Sequence, residues 1–361
     1  MRMTIAEIRA TPLQLPLDVP ISSALGTYTH IDCVAVHVRT SDGPTGVGFS
    51  AGLGGEASRA MASYIDAELS PRVIGKDALA PEAMWQAMWA PNKPRLRAGL
   101  GAWALSAIDI ALWDIVAKAA ALPLHTLLGG FRRTVPVYGS GGWHTLTDAA
   151  LIAEASGFVA QGITAYKYKT GTSRDRARTQ LLRQELGDDI TLFADANQRF
   201  NVSTAIEHSK MLAEYGVAWL EEPVLADSID DLAEVARGSA VPIAAGENAY
   251  FRWEFRELLE RRAASYLQPD VGRVGGVSEF RRVAALADAF NVSLSSHLWH
   301  ELSISLVGAS PMGYMCEYAP LIPSGTFTRD FVVKAGAIDI PDAPGHGVEF
   351  TADALVRYAV A

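Results

Sequence analysis

The sequence predicts an α/β barrel preceded by a smaller α+β domain, and three observations carry that prediction. From about residue 134 onward, short β-rich runs alternate with helical stretches at a period of about 25 residues, giving eight runs, enough parallel β/α units to close a barrel. Before about residue 125 the order differs, with strands first and helices afterwards. Acidic and basic residues then recur at the C-terminal ends of the barrel runs, the end where such folds build their sites.

Residues 1–125 are expected to form the α+β domain. Val34–Thr40 and Thr45–Phe49 flank Ser41-Asp42-Gly43-Pro44, a polar turn with the Asp-Gly signal of a hairpin. Residues 56–70 and 81–92 read as helices, and Gly101 to Leu122 as a long apolar one. The barrel spans 134–320, with strands expected at Val135–Tyr138, Ala165–Lys169, Leu192–Ala196, Ala218–Glu222, Pro242–Gly246, Tyr266–Gln268, Val292–Ser296 and Met315–Tyr318. The remainder, 325–361, is rich in Gly, Pro and Asp, holds a short strand at Ala337–Ile340, and is expected to return to the first domain.

Composition narrows the function classes. The 361 residues are 49% apolar and 20% charged, ordinary usage for a globular chain with a large core. A net charge of −9 disfavours nucleic acid and anionic membranes as partners. Cys33 and Cys316 are too scattered for a disulfide framework or zinc cluster, so a reducing cytoplasm is expected. The N-terminus carries no apolar run followed by a small-residue cleavage site, and no charge-free membrane-length run follows it.

Asp195, Glu221 and Glu247 each close an apolar run, spaced 26 and 26 residues apart. Any one of them alone reads equally well as a helix cap or a surface ion pair. Three carboxylates converging on one mouth repel unless a cation sits between them, and an all-oxygen set suits Mg²⁺ better than zinc. Glu221 and Glu222 cannot act as a glycosidase pair, because adjacent strand residues face opposite sides; Glu222 is expected to brace a lysine or the loop beyond. Lys167 and Lys169 share one strand face, and two ammonium groups near a divalent ion are expected to lower each other's pKa toward the range of a base. His297 ends the seventh run and Asp270 the sixth, adjacent positions from which a carboxylate can orient an imidazole. Glu317, ending the eighth, is placed to hydrogen-bond a substrate oxygen if it carries a proton, while Cys316 packs away from the site. Asn197, His144, Tyr28, Trp299 and His300 are candidates to touch substrate. The turn Gly272–Gly276 has the composition of an anion cradle, although Gly-rich β/α turns are common.

These residues together resemble the enolase superfamily, mandelate racemase subgroup. The resemblance is carried by Lys167-x-Lys169, Asp195-Ala196-Asn197-Gln198, Glu221-Glu222-Pro223, Gly246-Glu247-Asn248, Gln268-Pro269-Asp270, Gly275-Gly276, Ser296-His297 and Glu317, with Pro344-Gly345-His346-Gly347 similar to the closing segment of the family. It implies a modified (β/α)7β TIM-type barrel capped by an α+β domain built from both chain ends. It also implies Mg²⁺ at Asp195, Glu221 and Glu247, Lys169 and the His297–Asp270 dyad as bases on opposite faces of the α-carbon, and Lys167 with a protonated Glu317 on the substrate carboxylate. Such sites stabilise an enediolate after proton abstraction.

Short segments, among them Ser140-Gly141-Gly142-Trp143 and Arg273-Val274-Gly275-Gly276, are similar to acid-sugar dehydratases of the talarate/galactarate type. The expectation is therefore dehydration of an acid sugar to a 2-keto-3-deoxy acid, in which His297 protonates the departing β-hydroxyl. A 2-hydroxyacid racemase or epimerase is the alternative, and a non-catalytic binding protein the rival from another class. Capping loops at about 16–30 and 49–56 are expected to choose the substrate, and their polar composition leans toward a polyhydroxy acid. The partners expected are a small carboxylate substrate and further copies of this chain.

Overall fold

A computed structural model describes residues 3–360. Its first sheet is antiparallel, in the order β1 (Ile5–Ser23), β2 (Gly26–Thr40) and β3 (Gly46–Leu53). The β2–β3 pair is the hairpin expected from the Asp-Gly turn, longer at the end away from the turn. β1 is an edge strand, which is why Pro12, Pro16 and Pro20 are tolerated in it. Residues 16–30 are consequently not a loop. They are the tip of the β1–β2 hairpin, paired through Ser23 and Gly26 with an irregularity between Pro16 and Ile21, and the expected 49–56 loop is strand as far as Leu53.

The helix Leu100–Ala119 lies across this sheet. Gly46 and Gly48 allow the contact: a Cβ on either would stand 2.0 Å from the Ala111 carbonyl or 2.1 Å from that of Ala107. The helix is long and apolar enough to cross a membrane, yet it forms the centre of a buried cluster with Val34, Val36 and Trp85.

The barrel strands follow as β4 (Thr134–Ser140), β5 (Ala165–Lys169), β6 (Thr191–Asp195), β7 (Val217–Glu221), β8 (Ile243–Ala245), β9 (Tyr266–Leu267), β10 (Ser293–Leu294) and β11 (Cys316–Tyr318). Neighbours pair in parallel from β4 to β10, and β11 pairs in parallel with β4. Between β10 and β11 there is no ladder, only a parallel bridge at Leu294 and Gly313, where Tyr314 N donates to Leu294 O at 2.7 Å. The architecture is the modified TIM-type barrel with its capping domain.

Inside the barrel, Phe193 and Trp219 stack at 3.5 Å between centroids, and Tyr138 meets both edge-on. Residues two further along the same strands, Ser140, Asp195 and Glu221, share the inward face. The aromatic plug therefore closes the barrel beneath a crown of polar side chains.

After β11 the chain forms β12 (Val333–Lys334) and β13 (Ala337–Asp339), and β13 pairs antiparallel with β4, so this strand joins the barrel rather than the capping sheet. The final stretch reaches the capping sheet, where Gln14 N donates to Tyr358 O at 2.9 Å. His346 fastens it: Nδ1 accepts from Val348 N, so Nε2 carries the proton and donates to Val47 O at 2.7 Å.

Candidate active site

The three carboxylates predicted from their spacing converge. One oxygen from each of Asp195, Glu221 and Glu247 lies within 4.8 Å of the others, and all three side chains are buried. Asp195 Oδ1 accepts from Asn197 N at 2.9 Å, and Glu221 Oε2 accepts from Gln268 Nε2 at 2.7 Å. Glu247 Oε2 is buried with no hydrogen-bond partner. Burial and the neighbouring carboxylates push Glu221 up to about 8, although Lys167 opposes the shift. An orphaned carboxylate oxygen and a carboxylate that resists ionising are what a site lacking its counter-charge shows, and a hard divalent cation fits this all-oxygen set.

Lys169 Nζ is hydrogen-bonded to Asp195 Oδ2 and lies 5.0 Å from the Trp143 ring centroid. Lys167 Nζ lies 2.5 Å from Glu221 Oε1, 2.8 Å from Glu317 Oε1 and 3.7 Å from Asp195 Oδ2. Burial works to lower both lysine pKa values, but the surrounding carboxylates outweigh it and the net shift is upward. The expected depression is thus reversed when only the chain's own charges surround the ammonium groups.

Glu317 corrects a second expectation. It accepts from Lys167 and from Ser140 Oγ at 2.6 Å, with Leu298 N on its other oxygen at 2.6 Å. Burial acts to raise its pKa, but Lys167 and His297 prevail and bring it down to about 2, so the group is a carboxylate rather than a protonated donor. Cys316 is buried beside it and packs away, 3.1 Å from Ser296 Oγ.

On the other side, His297 Nδ1 lies 2.8 Å from Asp270 Oδ2, and its Nε2 lies 3.4 Å from Glu247 Oε2. Burial favours neutral imidazole, but Glu247 and Asp270 outweigh it and shift His297 upward. Asp270 is held by Gly272 N at 2.7 Å, Arg273 Nε at 3.3 Å and Trp299 Nε1 at 3.1 Å. Leu298 and Trp299 both adopt left-handed backbone angles, φ 43° and 41°, which turn the indole back onto Asp270. Trp299 therefore spends its only donor on the dyad instead of on a substrate.

Asn197 donates Nδ2 to Asp195 and leaves Oδ1 unpartnered. His144 lies 3.1 Å from Thr170 O, and its main chain donates to Ser22 of the hairpin tip. Tyr28 packs over Gly54 on the hairpin and makes no hydrogen bond to the site among the described residues. His300, buried beside Tyr318, makes no hydrogen bond there either. Glu222 is braced by Asn248 Nδ2 at 2.9 Å and by Gln198, with no lysine on it. The Gly272–Gly276 turn faces the capping helix, where Gly275 N donates to Ser106 Oγ at 3.0 Å and Ser278 N to Asp109 at 2.8 Å; those amides are not free for an anion. Ser140 and Arg273 carry structural work that went unassigned from sequence, although Ser140 ends a barrel strand as the recognised acids do.

Two family models match the chain: the mandelate racemase/muconate lactonizing enzyme N-terminal domain over residues 5–129, and the enolase C-terminal domain-like family over residues 150–354. The chain belongs to the enolase superfamily, in the mandelate racemase/muconate lactonizing enzyme family. It is 34% identical to the 3,6-anhydro-α-L-galactonate cycloisomerase of Streptomyces coelicolor over 360 residues, 99% of each chain. Among solved structures it is similar to a racemase from Streptomyces coelicolor A3(2) with bound magnesium, at TM-score 0.95 and 34% identity over 99% of this chain and 100% of that one. It is likewise similar to the L-talarate dehydratase of Polaromonas sp. JS666 complexed with Mg and L-glucarate, at TM-score 0.92 and 30% identity over 100% and 98% of the two chains. Within this family member the carboxylate triad stands between Lys169 at Asp195 and His297 at Glu247.

Proposed function

We propose that this protein is a Mg²⁺-dependent acid-sugar dehydratase, removing the α-proton of a polyhydroxy carboxylate and expelling its β-hydroxyl as water. The observation that carries this reading is the disposition of two proton-transfer groups at opposite members of the triad, Lys169 against Asp195 and the His297–Asp270 dyad against Glu247. Asp195, Glu221 and Glu247 would hold the ion, and Mg²⁺ bound there would supply positive charge to stabilise the charge that develops on the substrate carboxylate and would compete with Lys169 for the charge of Asp195.

Lys169 takes the α-proton, and the C–H electron pair becomes the enediolate. His297, oriented through Nδ1 by Asp270, gives its Nε2 proton to the β-oxygen as the C–O bond breaks. Water departs, and the enol left behind tautomerises to the 2-keto-3-deoxy acid. Lys167 lies against the substrate carboxylate, its own position fixed by Glu317.

The similarity to a cycloisomerase supports a second reading with the same first step, in which the β-oxygen belongs to a ring ether and stays attached to the product. Incubating the Mg²⁺-loaded protein with a library of acid sugars and their anhydro forms in D₂O separates the possibilities. Loss of water with a 2-keto product is expected. A 2-keto product of unchanged mass indicates ring opening, and α-deuterium without keto product indicates a racemase. Neither signal across the library, with Mg²⁺ binding demonstrated, refutes the proposal.

A further inference from the structure

Beside the crown of charged groups lies a cavity of about 860 Å³, walled by the hairpin tip at residues 16–21, residues of the stretch 140–161, the start of the helix His300–Ala309 and the segment 320–333. It shares Ser140 and Trp143 with the site just described: Ser140 hydrogen-bonds Glu317 at 2.6 Å, and Trp143 carries Lys169 over its ring. Ser140 and Trp143 thus form the border across which the far end of a substrate held at the triad would reach this cavity.

Two side chains in its wall are conspicuous. His300 and Glu301 are each 5% exposed, and His300 Nδ1 and Glu301 Oε2 are buried with no hydrogen-bond partner among the described residues. Their nearest polar approach is to each other, Nε2 to Oε1 at 3.5 Å. The imidazole is fixed edge-on against Tyr318 at 4.8 Å, and burial lowers its pKa, so it is neutral. Leaving a carboxylate oxygen and an imidazole nitrogen buried without partners is costly, and ligand hydroxyl groups are the natural remedy. Hydroxyls donate to Glu301 and can either donate to or accept from a neutral His300.

Charge then decides which far end is admitted. Of the charged residues lining the cavity, Asp18, Arg329 and Asp330 are exposed at its margin and Glu154 is engaged by Gly142 N and Tyr166 Oη, which leaves Glu301 as the buried charge that a ligand meets. A second carboxylate on the substrate would stand against Glu301 with no buried cation to meet it. We propose that Glu301 and His300 form a subsite for a neutral, hydroxylated terminus, so that the enzyme accepts monocarboxylic (aldonic-type) acid sugars and rejects dicarboxylic (aldaric) ones. This inference rests on the acid-sugar reading above and narrows it.

The test compares aldonates with aldarates of matched configuration on the Mg²⁺-loaded wild-type protein, following 2-keto product and α-deuterium. A like charge buried against Glu301 should disfavour the aldarate by on the order of 100-fold in kcat/KM. Glu301→Gln removes the repulsion while keeping an acceptor, and should narrow that ratio about tenfold by raising aldarate turnover. Aldarates turned over as well as aldonates by the wild type, or an unchanged ratio in a folded Glu301→Gln protein, overturns this inference and leaves the dehydratase reading standing. Absence of product and of deuterium exchange in both classes overturns both. The wild-type comparison decides the matter even if the variant does not fold.

Discussion

Replacing Asp270 with Asn separates the two proton transfers. Asp270 Oδ2 accepts from His297 Nδ1 at 2.8 Å and Trp299 Nε1 at 3.1 Å, with Arg273 Nε 3.3 Å away, while Oδ1 accepts from Gly272 N at 2.7 Å. An amide in this place must point its NH₂ either at those three donors or at Gly272 N–H, so at least one donor is left facing another. Loss of the charge-assisted bond to the imidazolium is worth about 1.5–3 kcal/mol, and a wrongly oriented or wrongly protonated ring adds to it. The kcat for 2-keto product should fall by on the order of 10²–10⁴. Lys169 lies at the Asp195 end of the triad and makes no hydrogen bond or ion pair with Asp270. In D₂O the Asp270→Asn protein should therefore still wash deuterium into recovered substrate at close to the wild-type rate while forming almost no product. Mass spectrometry of recovered substrate together with a keto-acid assay measures both rates. Equal losses in exchange and elimination, or a kcat within about threefold of wild type, would show that the dyad is not the acid of the reaction.

Three further outcomes are expected. Glu247→Gln should weaken Mg²⁺ binding at least ~100-fold by calorimetry, with an unchanged circular dichroism spectrum, because it removes a charge from the triad member whose buried oxygen accepts no hydrogen bond among the described residues. Burial pushes Asp109 up to about 7, so its folded-state pKa lies above the unfolded value; the stability this confers is complete below about pH 4 and is lost as pH rises through about 7, by up to ~4 kcal/mol, a slope that urea titrations should find missing in Asp109→Asn. Gly48→Ala sets a methyl group 2.1 Å from the Ala107 carbonyl and should cost about 3 kcal/mol or more in the same assay.

The barrel and the convergence of its acids were legible because both are periodic. Strand alternation with helices sets the ring order, and a polar residue at the end of an apolar strand can lie only at one mouth, which is how Asp195, Glu221 and Glu247 were found together. The hairpin tip was not legible. Pro12, Pro16 and Pro20 mask β1 as a strand, and only its edge position, a property of the folded sheet, makes them harmless. The ionisation of Glu317 was equally hidden, because it depends on Lys167 reaching across the barrel interior from β5 to a carboxylate on β11. Trp299 was misread for a similar reason: two successive left-handed residues reverse its direction, and neither Leu298 nor Trp299 is a residue type that announces such a turn.

The cavity wall is assembled from four stretches remote in sequence, the hairpin tip near residue 18, residues 140–161, the first turn after β10 and the segment between β11 and β12, and none of these contains Lys169, His297 or a member of the carboxylate triad. Substitutions that change which molecule is admitted can therefore accumulate without disturbing the proton-transfer groups. A lineage built on this plan can exchange one sugar for another in small, viable steps, and its members are best sorted by residues such as Glu301 rather than by the acids they all need.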